Sequence, residues 1–401
     1  MTIREARLLP INRGLASYTG VGTLLTGIVF WYGGGVIRAS ELYLRNGGEM
    51  LFLFIVFCLF TSASYILCRS AYWVAKRPVR FVERVSFRRV SVGVAALLLL
   101  YGAMQIIGGS LASNHAVRIL QVAGIVAGVY VLSEYGRRKL VAGGTFLLSL
   151  SLAFAAYSRR PVMTIVFAPV ALFVLGPARR SRMALLGLTV AFVLIGLVLT
   201  FLTGLRGTEW SGDLSRIGDI LESGWLRLSE GSGFDSVWLL DYVIDTYQTQ
   251  EPFLWGKSIY GALLNPIPRE LWAGKPMAFS IELSSIYFNV TPDTIPTNFG
   301  PGIIAEAYAN GGPLMVCVWA IGLGYLTARF DVYVFRHSHE LLGQLMLVIV
   351  PPALFFLIRG DMLNSFYEFY IKAVPAALLA IYARRRYVNP GVRPILIEQS
   401  A

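Results

Sequence analysis

The stretch MLFLFIVFCLFTSASYILC, residues 50–68, carries no charged side chain from end to end. Its length matches the roughly 20 apolar residues that an α-helix needs to cross a hydrocarbon core. Working outward from it, similar windows pick out apolar runs at 15–37, 90–110, 116–133, 140–157, 161–176, 183–205, 313–330, 340–358 and 365–383. Composition agrees with this reading. Of the 401 residues, 56% are hydrophobic and 14% charged, a balance that a water-soluble chain of this size would struggle to keep in solution. The expectation is an all-α polytopic integral membrane protein of about ten helices. It divides into residues 1–205 with helices one to seven, a long polar segment at 206–312, and residues 313–401 with the last three helices and a basic tail.

The net charge of +12 is distributed by side. Before the first run, in alternate loops and in the tail lie 22 of the 35 basic residues, whereas the short loops opposite hold six: Arg38, Arg45, Arg118, Arg159, Arg160 and Arg359. This asymmetry predicts that both termini are cytoplasmic and that the segment between helices seven and eight faces the periplasm, across a bacterial inner membrane. The charge is therefore topogenic and gives no nucleic-acid footprint. Arg4, Arg7 and Arg13 precede an apolar run without a small-residue cleavage site, which reads as a retained anchor. Cys58, Cys68 and Cys317 sit in apolar runs at unrelated spacing and suggest neither a disulfide framework nor a metal site.

Most of the chemistry-bearing pattern lies in the outward segment. Apolar residues at helical spacing over 213–228 and 234–247 predict two amphipathic helices, the first on the membrane surface and both capping the bundle. Pro266, Pro268, Pro276, Pro292, Pro296 and Pro301 then predict an irregular, proline-stiffened loop with no room for long helices. Within it Arg269 and Lys275 flank Trp272. That trio suits a ligand with phosphate and sugar parts, and equally suits a pair of snorkelling cations beside an interfacial indole. The run GIIAEAYANGG (302–312) predicts a short helix closed by Asn310, Gly311 and Gly312, which places Glu306 just outside the membrane. Its carboxylate suits either a general base or a pair with an outer arginine. Arg206 closes the seventh run, Arg359 and Asp361 lie in the turn before the tenth, and Glu368 with Lys372 form an internal pair one helical turn apart.

These residues resemble a family, the Wzy-type polymerases of bacterial O-antigen and related polysaccharide repeat units. The likeness rests on IPRELWAGKP (267–276), on EAYANGG (306–312) leading into a span, and on Arg206, YSRRP (157–161) and LIRGDM (357–362). It is best over about 200–365. Ala273 and Gly274 depart from the family pattern, which often has a proline after the tryptophan. The resemblance implies a membrane glycosyltransferase of the helical lipid-donor class, similar to GT-C enzymes, acting on oligosaccharide units carried by undecaprenyl diphosphate. It also implies a chain-length regulator protein as partner.

A diphosphate leaving group needs a metal or fixed cations, and the outer side lacks an Asp-x-Asp pair, with His337 and His339 in a cytoplasmic loop. The expectation is accordingly a metal-independent enzyme without a cofactor. Arg159 or Arg160, Arg206, Arg269 and Arg359 are its expected diphosphate ligands, with Lys275 as a further cation and Trp272 beside the sugar. Glu306 is the first-choice base, with Asp361 or Asp293 as alternatives. Two other readings stay open. A flippase for lipid-linked oligosaccharides would show pseudo-symmetric halves, and no internal repeat is visible. An O-antigen ligase would be expected to use an outward histidine, and only an isolated His115 stands on that side.

Overall fold

The computed structural model describes residues 5–6, 11–29, 32, 45–73, 83–107, 110–133, 136–155, 159–176, 200–201, 204, 217–229, 236–265, 267, 271–272, 274–296 and 299–386. In chain order these form β1 (Glu5–Ala6), α1 (Arg13–Ala16), α2 (Thr19–Ile28), α3 (Gly47–Trp73), β2 (Glu83–Ser86), α4 (Phe87–Ile107), α5 (Ser110–Ser133), α6 (Arg137–Ala155) and α7 (Arg159–Leu175). They continue with α8 (Ile217–Ser229), α9 (Ser236–Thr249), α10 (Lys257–Leu263), α11 (Phe279–Phe288), α12 (Gly302–Ala309), α13 (Gly312–His337), α14 (Leu341–Arg359), α15 (Met362–Ala383) and β3 (Arg384–Arg386).

Among the described residues five helices, α3, α4, α13, α14 and α15, are long and apolar enough to cross a membrane. Shorter apolar helical stretches lie at Thr19–Ile28, Ala116–Val131 and Pro161–Leu175, the last interrupted by Pro169. The expected seventh span falls almost wholly outside the described residues. The chain is thus a multi-pass helical membrane protein, with one departure from the all-α expectation. Strand β2 pairs antiparallel with both β1 and β3, with Glu5 opposite Ser86 and Glu83 opposite Arg386. The strands are only two to four residues long, too short for any periodicity to register in the sequence.

Among the described helices, α3 and α13 share the most extensive packing. A Cβ at Gly324 would overlap the Thr61 carbonyl, so only glycine permits this approach, and the Ser64 hydroxyl donates to Ile321 O at 2.8 Å. Their shared core runs without a break into the long polar segment, because Val237, Leu240, Val243 and Ile244 of α9 and Ile303, Ile304 and Tyr308 of α12 are buried with Leu53, Phe57, Val316 and Trp319. A second core joins α4, α5, α14 and α15.

Both amphipathic helices of the outer segment are present. Helix α9 covers the bundle end, where Asp241 accepts from the backbone N–H of Asn46 at 2.7 Å and so caps the start of α3. The described part of α8 turns Ile220 inward against Leu120, Val162 and Ile165. The proline-rich stretch is less irregular than expected, since the ten residues of α11 fit between Pro276 and Pro292. FSIELSSIYF contains neither glycine nor proline, and Asn289 ends the helix in the left-handed conformation at φ 52°.

Candidate functional site

The start of α15 is the point on which the candidate residues converge. Four backbone N–H groups at a helix N-terminus have no partner within the helix, and they attract acceptors and negative charge. Here two carboxylates fill the position. Asp361 is the N-cap: one of its oxygens accepts from Asn364 N at 2.7 Å and the other from Asn364 Nδ2 at 2.8 Å. Glu306 reaches across from α12, and its Oε2 accepts from Met362 N at 2.7 Å.

Helix α12 is short and buried over its whole length, although the sequence placed it simply outside the membrane. Two backbone features hold it there. Gly302 has φ +80°, and a Cβ on it would stand 2.5 Å from the Tyr32 hydroxyl and 3.0 Å from Ile358 O. Its N–H donates to Gly360 O at 3.0 Å, while the Tyr32 hydroxyl accepts from Ile304 N at 3.2 Å. The 357–362 turn is thereby wound against the beginning of α12. At the other end Asn310 Nδ2 donates both to Glu306 O at 2.7 Å and to Ser258 Oγ of α10 at 2.8 Å, and Asn310 Oδ1 accepts from Gly256 N at 3.0 Å.

Glu306 is completely enclosed, and its Oε1 has no hydrogen-bond partner among the described residues. Burial, reinforced by the neighbouring Asp361 charge, pushes its pKa up to about 8, against the opposing influence of the Ser258 hydroxyl and the Met362 N–H. The carboxyl group is therefore mostly protonated at neutral pH. A carboxyl tuned to this range is suited to exchanging a proton.

The other expected site residues divide into four groups. Arg359 is half-buried on the same turn, and its side chain passes Gly300, where a Cβ would lie 4.0 Å from Nε. Lys275 and Trp272 belong to the wall beside the site. The Lys275 ammonium is buried and donates to the carbonyls of Asn265 at 2.7 Å and Ile267 at 2.9 Å, stapling the loop. Trp272 meets Tyr260 edge to face at 5.4 Å. This loop packs on the first turn of α15 through Asn265 Nδ2, which donates to Leu363 O at 3.3 Å. Arg206 and Arg269 lie outside the described residues, as do the side chains of Arg159 and Arg160. Asp293 is exposed in the turn after α11.

Asn310 and Ser258 were not anticipated as site residues. Asn310 was read only as a helix terminator, and nothing in KSIYGAL singles out its serine. A separate cluster inside the bundle carries the expected pair of Lys372 with Glu368 at 2.9 Å, and Arg118 joins it at 2.9 Å from the same carboxylate. Arg118 also stands 4.3 Å over the Tyr367 ring. Among the described residues, no three His, Cys, Asp or Glu come together in a way that would hold a metal ion.

No curated protein and no solved structure matches the chain. A family model does match, over residues 235–389, from just before α9 to just beyond β3. That stretch holds Arg269, Trp272, Lys275, Glu306, Arg359 and Asp361, and leaves out Arg159, Arg160 and Arg206. What residues 235–389 are similar to is the family of the O-antigen polysaccharide polymerase Wzy.

Proposed function

We propose that this protein joins oligosaccharide repeat units carried on undecaprenyl diphosphate into O-antigen or a related polysaccharide, at the outer face of the inner membrane. The observation that carries the reading is the family match, because it coincides with the turn and helix that hold Glu306, Arg359 and Asp361. Placement of the site on the outer side rests on the distribution of basic residues. It is supported by the small sheet, which joins the N-terminal, 83–86 and 384–386 segments at one end.

In the proposed reaction a hydroxyl at the nonreducing end of the incoming unit attacks the anomeric carbon of the growing chain. The new glycosidic C–O bond forms as the bond from that carbon to the diphosphate breaks. The hydroxyl proton passes to Glu306, and the electron pair leaves with the diphosphate. Arg359, together with Arg159 or Arg160, Arg206 and Arg269, meets the charge that accumulates there, since guanidinium groups fork onto phosphate oxygens. Glu306 is enclosed before substrate binds, so the acceptor reaches it only after the elements around it part. Asp361 holds the helix and Lys275 the loop around this centre, and a chain-length regulator is the expected partner.

The test is complementation of a polymerase-null strain, read as a polysaccharide gel. The intact gene should restore the long-chain ladder, and Arg359→Lys should leave a single repeat unit while the protein still inserts and folds. A ladder of normal length from Arg359→Lys would remove Arg359 from the diphosphate site. Loss of every unit in the parent deletion would indicate a flippase, and a ladder stranded on its lipid carrier would indicate a ligase.

A further inference from the structure

Several described residues of the outer segment invert ordinary exposure. Trp255 is 76% exposed, Tyr260 53%, Leu263 56% and Leu271 80%, whereas the cation Lys275 is buried at 9%. In a water-facing loop the large apolar groups would turn inward and the ammonium outward. Here the buried ammonium satisfies the Asn265 and Ile267 carbonyls, and the loop so closed presents Leu271 at its surface.

Two independent contacts fix the level of this surface along the bundle. Trp255 lies beside Gly311, at the start of span α13, where a Cβ would stand 3.7 Å from Cζ3 of the indole. The other contact is at the start of span α15, where Ala262 of α10 and Ala278 pack with Leu363. The apolar surface therefore sits where both spans begin, the depth at which a bilayer interface falls and at which tryptophan and tyrosine are enriched. It is also continuous with the outward face of α13, on which Leu314, Val318 and Ile321 are exposed at helical spacing. Polar groups are exposed elsewhere in the segment, at Glu251, Thr291, Asp293 and Thr294, and Lys257 is paired with Glu282 at 2.9 Å.

We propose that Trp255, Tyr260, Leu263 and Leu271 form a membrane-inserting edge of the outer segment, with the acyl and headgroup boundary of the outer leaflet as its occupant. The segment is then a wedge resting in the leaflet, with these polar groups toward water. Amphipathic elements bind membranes in this manner, by burying an apolar face just below the headgroups. The insertion follows from exposure and packing, its side follows from the charge distribution, and both hold whatever reaction the protein catalyses.

The test is nitroxide labelling of the full chain in lipid nanodiscs, with Cys58, Cys68 and Cys317 replaced by serine and single labels at Leu263→Cys, Leu271→Cys or Thr291→Cys. Accessibility to oxygen, which partitions into lipid, is compared with accessibility to a water-soluble nickel chelate. The labels at 263 and 271 should favour oxygen severalfold more than the label at 291. An equal ratio at all three positions would overturn the proposal by placing the edge in water. Protection of 263 and 271 from both reagents would overturn it too, by placing the edge against protein.

Discussion

Two buried carboxylates each sit at the start of a helix, and they differ in what surrounds them. Asp331 of α13 serves α2: it accepts from Gly20 N at 2.7 Å, from Val21 N at 3.2 Å and from the Tyr65 hydroxyl at 2.9 Å, with the Arg69 guanidinium 4.0 Å away. Arg69 in turn bonds Tyr65 and the Ser17 carbonyl and hydroxyl. Glu306 serves α15 with one oxygen, has the Ser258 hydroxyl as a further polar neighbour, and has another acid for its charged neighbour. Burying an ion is tolerated when its charge and lone pairs are answered. The Asp331 cluster meets that condition and reads as structure. Among the described residues the Glu306 site has no cation to answer it, and a buried acid held in this way is a candidate for use in chemistry.

The comparison is sharpest if each carboxylate is removed in turn. Asp331→Ala takes the anion from a buried guanidinium and three donors, and should destabilise the protein by about 3–5 kcal/mol, the range for breaking a buried ion pair. Thermal unfolding in detergent is the readout, and a melting point like that of the parent would deny Asp331 its structural role. Glu306→Gln should do the reverse. Its amide oxygen can still accept from Met362 N, so the fold survives, while loss of a general base should lower the polymerisation rate by about 10²–10⁴-fold. A variant that polymerises at the parent's rate would reduce Glu306 to a helix cap.

Glu306 also links stability and activity to pH. The pKa of Glu306 rises from 4.5 in the unfolded chain to about 8 in the folded one, so between these values the folded state holds more protons. Its contribution to stability is fully present below pH 4.5 and is lost as pH rises through about 8. Activity should move the opposite way, because a base works only when deprotonated, and should climb as pH passes about 8. Glu306→Gln should flatten this component of the stability profile. Parallel rise of stability and activity across the window would contradict the assignment.

Much of this site was legible in local pattern, and the rest was hidden by distance along the chain. Asn310, Gly311 and Gly312 end α12 as their residue types predict, and Pro313 sits in the first turn of α13. The capping role of Asp361 was also local, an acid just before a helix with its partner three residues on. No window could reveal that Glu306 meets Met362 across 56 residues, or that Asp331 meets Gly20 across 311. The burial of Lys275 was not visible locally, because a lysine in a polar loop ordinarily seeks water and the carbonyls that hold it become available only when the loop closes. The burial of α12 was equally invisible, since GIIAEAYA is as apolar as a surface-docked helix of the same length.

A smaller effect tests how α12 is held against the turn. Gly302→Ala would place a methyl group 2.5 Å from the Tyr32 hydroxyl at a backbone angle that favours glycine, and should destabilise by roughly 1–3 kcal/mol. If Glu306 depends on this seat, polymer yield should fall more than the melting point suggests. An equal loss in both would mean that the strap stabilises the fold without positioning the carboxylate.

The smallest expected change is the most discriminating. Asp361→Asn keeps a good N-cap, so stability should change by less than the roughly 0.5–2 kcal/mol that an alanine at this position would cost. It removes the charge that helps raise the pKa of Glu306, leaving burial as the remaining cause. The rising limb of the activity profile should therefore shift to lower pH while its plateau stays near the parent value. If polymerisation were instead abolished at every pH with the fold intact, Asp361 would be the acceptor's base and Glu306 the group that tunes it.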